Sequence, residues 1–458
     1  MTPEVEEKVI AYMTKETGFL PSENELGVLM DDLSSILGSL FIPTTPMPVR
    51  IEDFPPVPLD GIGAKGLSVL WRQILRNSTR LDSPQMSGHM DTAPHPFAVM
   101  TQTLVSALNQ NMLFRELSPL ASLVEEDLID LFKTHLKLGP DWDGTWASGG
   151  SIANLTALFC AIGGYRGTID RGNVHMFFPE SGHASLKKAA LILGVPVGQV
   201  HFVKCDDAGR IDVDELSAAL KKAPRQAHNV VTSVLGTTIH GSIDRIEEIA
   251  KICSKYGAWH HVDAIYGGAL MFSKTHDHFL AGLSSADSIV IGPQKWMYVP
   301  RVSAAVLVSG RKRFDENLGV VMPYSISGEV HRGVWGVQGS RPADAMVLWA
   351  LLHAIGTKAV GEQIDRSIKL TRSFYEILSN SSILSPTHVP GLNLQVIRPN
   401  TTKRDTIEIQ QRLKDDGSLW ASVSQWRDEK LLRTVLLSPK LNEDSLNDFV
   451  VSLERAAS

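Results

Sequence analysis

The middle of the chain alternates short, uninterrupted apolar runs with stretches of helical periodicity, and this alternation strongly constrains the fold. From about residue 101 onward, helical patterns separate apolar runs at 174–178, 200–203, 230–234, 259–262, 288–291 and 304–308. Strands that are apolar on both faces are typical of a parallel sheet covered by helices. We therefore predict an α/β protein with a mainly parallel sheet, whose ligand site lies beyond the carboxyl ends of its strands.

The length of 458 residues and the distribution of prolines predict three regions. Helical spacing at 3–17 and 26–40 precedes six prolines between positions 43 and 58, which exclude regular structure there. We predict an N-terminal helical arm and Pro-rich connector over 1–85, a large domain over 86–365 and a smaller α+β domain over 366–458. The arm either packs on a neighbouring subunit or lies on its own domain.

Charge and cysteine content exclude several functional classes. The formal net charge is −6 and no basic cluster is present, so we expect no nucleic-acid or membrane partner. No apolar stretch approaches the roughly 18 residues of a membrane span, and the acidic start lacks the features of a secretory signal, so we expect a cytoplasmic protein. The three cysteines, Cys160, Cys205 and Cys253, are too scattered for a disulfide framework, and we predict no metal site.

Lys295 and Asp263 each follow an apolar run, which places an amine and a carboxylate at the carboxyl ends of two predicted strands. This pair suggests pyridoxal 5'-phosphate (PLP), because a lysine forms the Schiff base to the cofactor and an aspartate keeps its pyridine nitrogen protonated. Taken alone, a lysine at such a position is usually a solvated surface residue, and an aspartate is usually a turn or cap residue.

Three further segments are weaker signals when taken alone. The turn Ser148-Gly149-Gly150-Ser151 opens a helix and could bind a phosphate through backbone N–H groups, although such a turn is usually a loop with an N-cap. His183 follows an apolar run and could stack on an aromatic cofactor, or simply be a loop histidine. Thr237 lies in a strand-to-helix turn near the predicted N-cap Asp244, and could contact the cofactor ring.

In their order and near their spacing, these motifs resemble the group II PLP-dependent amino acid decarboxylases, which include aromatic amino acid, glutamate and diaminobutyrate decarboxylases. The resemblance covers roughly residues 87–433 and includes Tyr266-Gly267-Gly268, Lys295-Trp296 and Gly339-Ser340-Arg341. It implies PLP fold type I, with a mostly parallel seven-stranded sheet in the large domain. It also implies a homodimer whose active sites are completed across the interface.

The resemblance also implies residue roles. Lys295 would be the Schiff-base lysine, Asp263 the partner of the pyridinium nitrogen and His183 the stacking base, with Ala264 packed on the ring. The phosphate would be bound by Ser148, Gly149, Gly150 and Ser151, with Ser340 reaching that of the neighbouring subunit. Tyr324, 29 residues after Lys295, would protonate the substrate carbon from a mobile loop, and Arg433 would lie near the substrate.

Substrate recognition is less constrained by the sequence. The segments at 87–92 and 107–119 supply His89, Thr92 and Asn111 as predicted substrate-binding residues. The Asn-rich second segment resembles the glutamate and diaminobutyrate branches of the family more than the aromatic one, which slightly favours a polar substrate side chain and leaves aromatic amino acids open. Asp91 could attract a cationic side chain, but a surface or capping carboxylate is the more common role.

Three positions depart from the pattern of the family. Gln294 replaces the usual histidine before the lysine, Ile152 replaces an acidic residue, and Ile265 stands where a small residue is usual. These changes are expected to alter the pocket rather than abolish cofactor binding.

The resemblance predicts α-decarboxylation of an L-amino acid to the amine and carbon dioxide. Two alternatives remain open. One is decarboxylation coupled to oxidative deamination, or a transamination, on the same scaffold, which Tyr324 disfavours. The other is a non-catalytic PLP-binding protein, which the intact Lys295 and Asp263 disfavour.

Overall fold

A seven-stranded sheet forms the centre of the computed structural model, which describes residues 23–39, 56–167, 169–320, 331–401 and 403–458. Its strands are β1 (Asp143–Ala147), β2 (Val174–Pro179), β3 (Val200–Val203), β4 (His228–Val234), β5 (Trp259–Ala264), β6 (Ser288–Ile291) and β7 (Ala304–Val308). Their order is β1-β7-β6-β5-β4-β2-β3. Strands β2 to β6 pair in parallel, whereas β7 is antiparallel to β6 and β1. The predicted α/β fold with a mainly parallel sheet is confirmed.

Helices precede, connect and follow these strands. They are α1 (Glu23–Ser39), α2 (Gly63–Arg76), α3 (Pro96–Leu108), α4 (Pro119–His135), α5 (Gly150–Ala161), α6 (Ala184–Ile192), α7 (Val213–Lys222), α8 (Ile246–Tyr256), α9 (Arg311–Asn317), α10 (Ala345–Ser379), α11 (Thr406–Asp415) and α12 (Glu443–Ala457). Every residue of β6 and β7 is buried, as expected for strands covered on both faces. Within α10, Gly356 has φ +78° and ψ 156°, which kinks the helix.

A second, antiparallel sheet lies within the predicted C-terminal domain. Its order is β10-β11-β9-β8, formed by β8 (Leu384–Pro386), β9 (Leu394–Pro399), β10 (Ser422–Trp426) and β11 (Glu429–Val435). Helix α10 runs across the predicted boundary at residue 365, so the boundaries of the three regions stay predictions.

Only part of the predicted N-terminal arm lies within the described residues. The predicted helix at 3–17 and most of the proline-rich segment fall outside them, whereas the predicted helix at 26–40 corresponds to α1. Helix α1 is tied to α2 by an ion pair between Asp32 and Arg72, 2.5 Å apart, and by a hydrogen bond from Ser68 to Asp32. No helix in the described part of the chain is both long enough and apolar enough to cross a membrane.

Two local expectations were incomplete or wrong. Strand β1 was not predicted, because Asp143-Gly144-Thr145-Trp146-Ala147 contains no apolar run, although all five residues are buried. Asp244 is not the N-cap of α8, since Arg245 occupies that position. The Asp244 carboxylate instead accepts hydrogen bonds from the backbone N–H groups of Ile211 (2.7 Å) and Val234 (2.6 Å).

Candidate active site

Asp263 and Lys295 are brought together by adjacent strands. Asp263 lies near the carboxyl end of β5, which pairs in parallel with β6, and Lys295 lies in the turn that follows β6. The two chain segments meet at Ile265, whose carbonyl oxygen would lie 2.6 Å from a Cβ atom added at Gly292. The structure therefore brings the amine and the carboxylate to the same edge of the sheet, as the sequence predicted.

The Asp263 carboxylate is buried and held by two N–H donors. Oδ2 accepts from Nδ2 of Asn154 (2.9 Å), and Oδ1 accepts from the backbone N–H of Ile265 (3.2 Å). Burial raises the pKa of Asp263, although these hydrogen bonds and the nearby His183 act in the opposite direction. A cationic partner would stabilise the ionised form of such a carboxylate.

Asn154 links Asp263 to a buried histidine. Its Oδ1 lies 3.0 Å from Nε2 of His261, while Nδ1 of His261 lies 2.9 Å from the hydroxyl of Ser288. Burial lowers the pKa of His261 to about 3, so the ring is neutral at physiological pH. Because an amide oxygen only accepts, Nε2 carries the proton, and the Ser288 hydroxyl donates to Nδ1.

The same asparagine also reaches His183 through Ser185. Asn154 Nδ2 lies 3.0 Å from the Ser185 hydroxyl, which lies 2.8 Å from Nδ1 of His183. His183 is the N-cap of α6, and its Nδ1 accepts the backbone N–H of Ser185 at 3.2 Å. Nδ1 is therefore an acceptor, and a neutral His183 carries its proton on Nε2.

The Lys295 amine lies among several charged groups. Its Nζ is 3.0 Å from Oδ1 of Asp91, and the same oxygen contacts Nη2 of Arg301. Burial, followed by the positive charge of Arg433, lowers the pKa of Lys295. The amine consequently loses its proton at lower pH than an ordinary lysine, as a nucleophile requires.

The turn at 148–151 leads from β1 into α5. Gly149 is the N-cap with φ +88°, a conformation that other residues rarely adopt. A Cβ atom at Gly150 would lie 3.1–3.3 Å from the Ile265 side chain. The backbone N–H of Ser148 donates to the side chain of Gln338 (2.9 Å), and Ser151 is exposed. Free N–H groups in the first turn of a helix suit a phosphate, so the residues present fit the cofactor.

The altered residues Gln294 and Ile265 have structural roles around this turn. Oε1 of Gln294 accepts the backbone N–H of Ser303 at 2.7 Å, which holds the segment that follows Arg301. Ile265 fills the space between Gly150 and Gly292. These two departures from the family pattern are thus accommodated by packing and hydrogen bonding.

Arg433 connects the smaller sheet to the site. It lies on β11, and its guanidinium donates to the carbonyl oxygens of Thr238 (2.7 Å) and Gly88 (2.8 Å). Nη2 is also 3.4 Å from Nδ1 of His89. The Nε atom of Arg433 is buried and makes no hydrogen bond to any residue within the described ranges.

Two predicted substrate residues lie at or near the surface. Thr92 is half-buried directly after Asp91. Nδ2 of Asn111 donates to the exposed Ser340 hydroxyl at 2.9 Å.

Two predicted cofactor residues, Thr237 and Ala264, are fully buried beside the sheet edge. The Thr237 hydroxyl accepts the backbone N–H of Ser242 at 3.0 Å. The predicted proton donor Tyr324 lies outside the described residues.

Sequence reasoning missed Asn154, Arg301 and Gln338. Asn154 is four residues after Gly150, one helical turn into α5, and this position was the available signal. The contacts of Arg301 and Gln338 depend on loops that converge only in the fold. Among the described residues, no group of three or more His, Cys, Asp or Glu side chains could hold a metal ion.

Comparisons with known proteins agree with this geometry. A sequence model of the pyridoxal-dependent decarboxylase conserved domain matches residues 70–385. Acidic amino acid decarboxylase GADL1 of Xenopus tropicalis is 26% identical, with 84% of this chain and 81% of that protein covered. Aspartate 1-decarboxylase of Aliivibrio fischeri is 27% identical with the same coverage.

Solved structures show the same fold. Mouse CSAD superposes with a TM-score of 0.85 at 22% identity, covering 94% of this chain and 99% of that one. The glutamate decarboxylase domain of a Vibrio parahaemolyticus diaminobutyrate-pyruvate transaminase and L-2,4-diaminobutyrate decarboxylase has a TM-score of 0.84 at 20% identity, covering 99% of each chain. The predicted fold type I architecture is confirmed.

Proposed function

Because the chain belongs to the pyridoxal-dependent decarboxylase family, and is therefore a PLP-dependent carboxy-lyase acting on an amino acid, we propose that its substrate is an L-amino acid with a polar side chain and its product the corresponding amine. The observation that carries the site assignment is that Lys295 and the buried Asp263 lie at the carboxyl ends of adjoining parallel strands. The names of the two curated relatives, which refer to acidic amino acids and aspartate, support a polar substrate.

Lys295 is the proposed residue that bonds to the cofactor. Its lowered pKa supports this role, since the neutral amine is the nucleophilic form. When bound, PLP supplies an electron sink for the electrons of the breaking bond between Cα and the carboxylate. Asp263 is the proposed partner of the ring nitrogen, and a positive charge there would offset the burial that raises the pKa of this carboxylate.

The other predicted residues are assigned to the phosphate, the ring and the substrate. The turn Ser148 to Ser151 would bind the phosphate at the N-terminus of α5, with Ser340 nearby from a second subunit. His183 would lie against the ring, with its Nε2 proton fixed by the bonds to Ser185. Thr237 and Ala264 would line the ring pocket.

Arg433 is the proposed binding residue for a substrate carboxylate, because its fixed guanidinium retains a buried Nε–H without a partner among the described residues. His89, Thr92 and Asn111 would complete the substrate pocket. Tyr324 is the proposed donor of the proton that replaces carbon dioxide at Cα.

A homodimer is the proposed assembly, and an exposed apolar stripe on α3 supports it. The inward face of α3 buries Ala98 and Val105, yet its outward face is apolar as well. The exposed stripe consists of Phe97, Met100, Leu104 and Leu108. A helix that is apolar on both faces normally has a partner on each, and the Asn111–Ser340 contact follows directly beyond this helix.

The test is a carbon dioxide release screen with the PLP-loaded protein. The substrates are the standard amino acids together with diaminobutyrate, ornithine and cysteine sulfinate. We expect release from one or a few polar amino acids, and loss of both release and the lysine-dependent cofactor absorbance in Lys295→Ala. Analysis of the product for amine, against aldehyde, ammonia and peroxide, separates simple decarboxylation from the oxidative alternative. A loaded protein that releases no carbon dioxide from any of these compounds contradicts the proposal.

A further inference from the structure

Arg301 lies next to the reactive lysine. It follows Lys295 by six residues, and the two side chains share a single oxygen atom, Oδ1 of Asp91. Both cationic groups therefore lie within hydrogen-bonding range of one point in space. A substrate whose amine approaches Lys295 must come close to the Arg301 guanidinium.

The surroundings of these groups carry an excess of positive charge. Lys295, Arg301 and Arg433 all act on His89, whose pKa is lowered first by burial and then by these three cations. Asp91 contacts two of these cations, Lys295 and Arg301. Since Asp91 already contacts two cations, it is poorly suited to bind a cationic substrate side chain. Even without Lys295, the two arginines Arg301 and Arg433 outnumber Asp91, so these side chains favour an anionic substrate.

The two arginines differ in their freedom to recognise a ligand. Arg433 is buried and donates to two backbone carbonyl groups, so its position is fixed. The Arg301 side chain is 51% exposed, and one carboxylate oxygen occupies only part of a guanidinium that has five N–H donors. Arg301 can therefore present donors to a second carboxylate in bidentate geometry, as guanidinium groups commonly do.

We propose that Arg301 is the specificity-determining residue that binds the side-chain carboxylate of an acidic amino acid, with Asp91 holding its guanidinium in place. This inference rests on the proposed function, because it assigns a substrate class to the same site. Under this inference, Arg433 binds the α-carboxylate, which leaves as carbon dioxide. Arg301 binds the side-chain carboxylate, which remains in the product.

The experiment compares the isosteric pairs L-aspartate with L-asparagine and L-glutamate with L-glutamine in the PLP-loaded enzyme. Arg301→Gln is expected to lower kcat/KM for the preferred acid by about 10–100-fold, mainly through KM, because one charged bidentate contact is lost. Arg301→Lys should recover part of the lost kcat/KM, since lysine keeps the positive charge but lacks the two parallel N–H donors of a guanidinium. The amides should be little affected, and the cofactor absorbance unchanged.

A matched control is Arg398→Gln. Arg398 is 49% exposed and also pairs with a carboxylate, Glu429 (2.6 Å), but lies on β9 of the smaller sheet. This variant should behave as wild type. Binding of L-aspartate and L-glutamate, followed by the absorbance of the bound cofactor, provides a second readout that does not require turnover.

The outcomes separate the inference from the proposed function. If Arg301→Gln stays within about 2-fold of wild type in kcat/KM and in binding of the acids, the inference is overturned. A wild-type enzyme that decarboxylates neutral, aromatic or cationic amino acids and binds the acids no better also overturns it, while decarboxylation stands. If the wild type releases no carbon dioxide at all, the proposed function fails, and the binding of the acids by the two proteins still decides the role of Arg301.

Discussion

At the scale of single residues, Asn154 joins the side chains that we propose contact the cofactor. Its amide accepts from His261 and donates both to Asp263 and to Ser185, so all its hydrogen-bonding groups are used and its orientation is fixed. Its position one helical turn beyond the phosphate turn also links Asp263 to α5. The asparagine therefore holds the carboxylate in a single orientation relative to the sheet.

Asn154→Ala should weaken cofactor binding by about 10–100-fold, because a hydrogen bond to a charged group contributes roughly 1.5–3 kcal/mol. The measurement is the dissociation constant for PLP, obtained by titrating the cofactor-free protein. Asn229→Ala is the matched control, since Asn229 is also buried but lies at the amino end of β4, away from the site. Equal PLP affinity in wild type and Asn154→Ala would contradict this role.

The residues of the site differ in how far the sequence predicts them. Lys295 and Asp263 could be singled out because each follows an apolar run within a few residues, and parallel strands end at a common edge. Asn154 and Arg301 were not singled out, because the side chains that they contact lie on segments distant in sequence. Such contacts follow from how helices, strands and loops pack together, for which a single sequence carries no periodic signal.

At the scale of secondary structure elements, the Asp244 carboxylate links two segments of the predicted large domain by hydrogen bonds. It accepts N–H groups from Val234, at the end of β4, and from Ile211, in the connection before α7. The sequence predicted it as an N-cap because an acidic residue before a helix usually has that role. The fold instead uses the carboxylate to satisfy buried backbone donors, a need that appears only when β4 and the 205–211 segment pack together.

Asp244→Ala should lower the thermal midpoint of unfolding by about 3–8 °C, because two buried N–H groups lose their acceptor at roughly 1–3 kcal/mol each. Asp244→Asn retains one side-chain oxygen and should lose about half as much. The check is a thermal unfolding curve recorded for both variants and the wild type. An unchanged midpoint in Asp244→Ala would show that these N–H groups find other partners.

Strand β1 shows the limit of prediction for elements. Each of the strands built from apolar runs was found near its predicted position, whereas β1 consists of Asp143, Gly144, Thr145, Trp146 and Ala147. The Trp146 ring stacks on Phe132, while Glu125 accepts the backbone N–H of Trp146 (2.9 Å) and pairs with Arg341 (2.8 Å). A strand with a single large apolar residue has no hydrophobic pattern to detect.

At the scale of the whole molecule, the site is assembled from both sheets. Arg433 reaches from the smaller antiparallel sheet to the turn after β4 and to Gly88, while the backbone of Ser87 pairs with Trp420 (3.0 Å) and Val435 (2.6 Å). The loop that carries His89 and Asp91 is therefore held against the smaller sheet at one end and the lysine at the other. A change in the packing of the two sheets would move the proposed substrate residues relative to Lys295.

The apolar stripe on α3 extends this dependence to a second copy of the chain. Leu104 is 57% exposed in the middle of the stripe, so Leu104→Glu should leave the single chain folded while placing a charge in the proposed interface. We expect the wild type at about 100 kDa by light scattering, twice the 50.1 kDa of one chain, and Leu104→Glu near 50 kDa with reduced activity at low micromolar concentration.

The matched control is Val451→Glu, because Val451 is 60% exposed on α12 and lies off the stripe. A fully active wild-type monomer, or a Leu104→Glu variant that stays dimeric, would remove the stripe as the interface. Because the proposed dimer completes each site with the partner's residues, mass and activity should fall together as the protein is diluted.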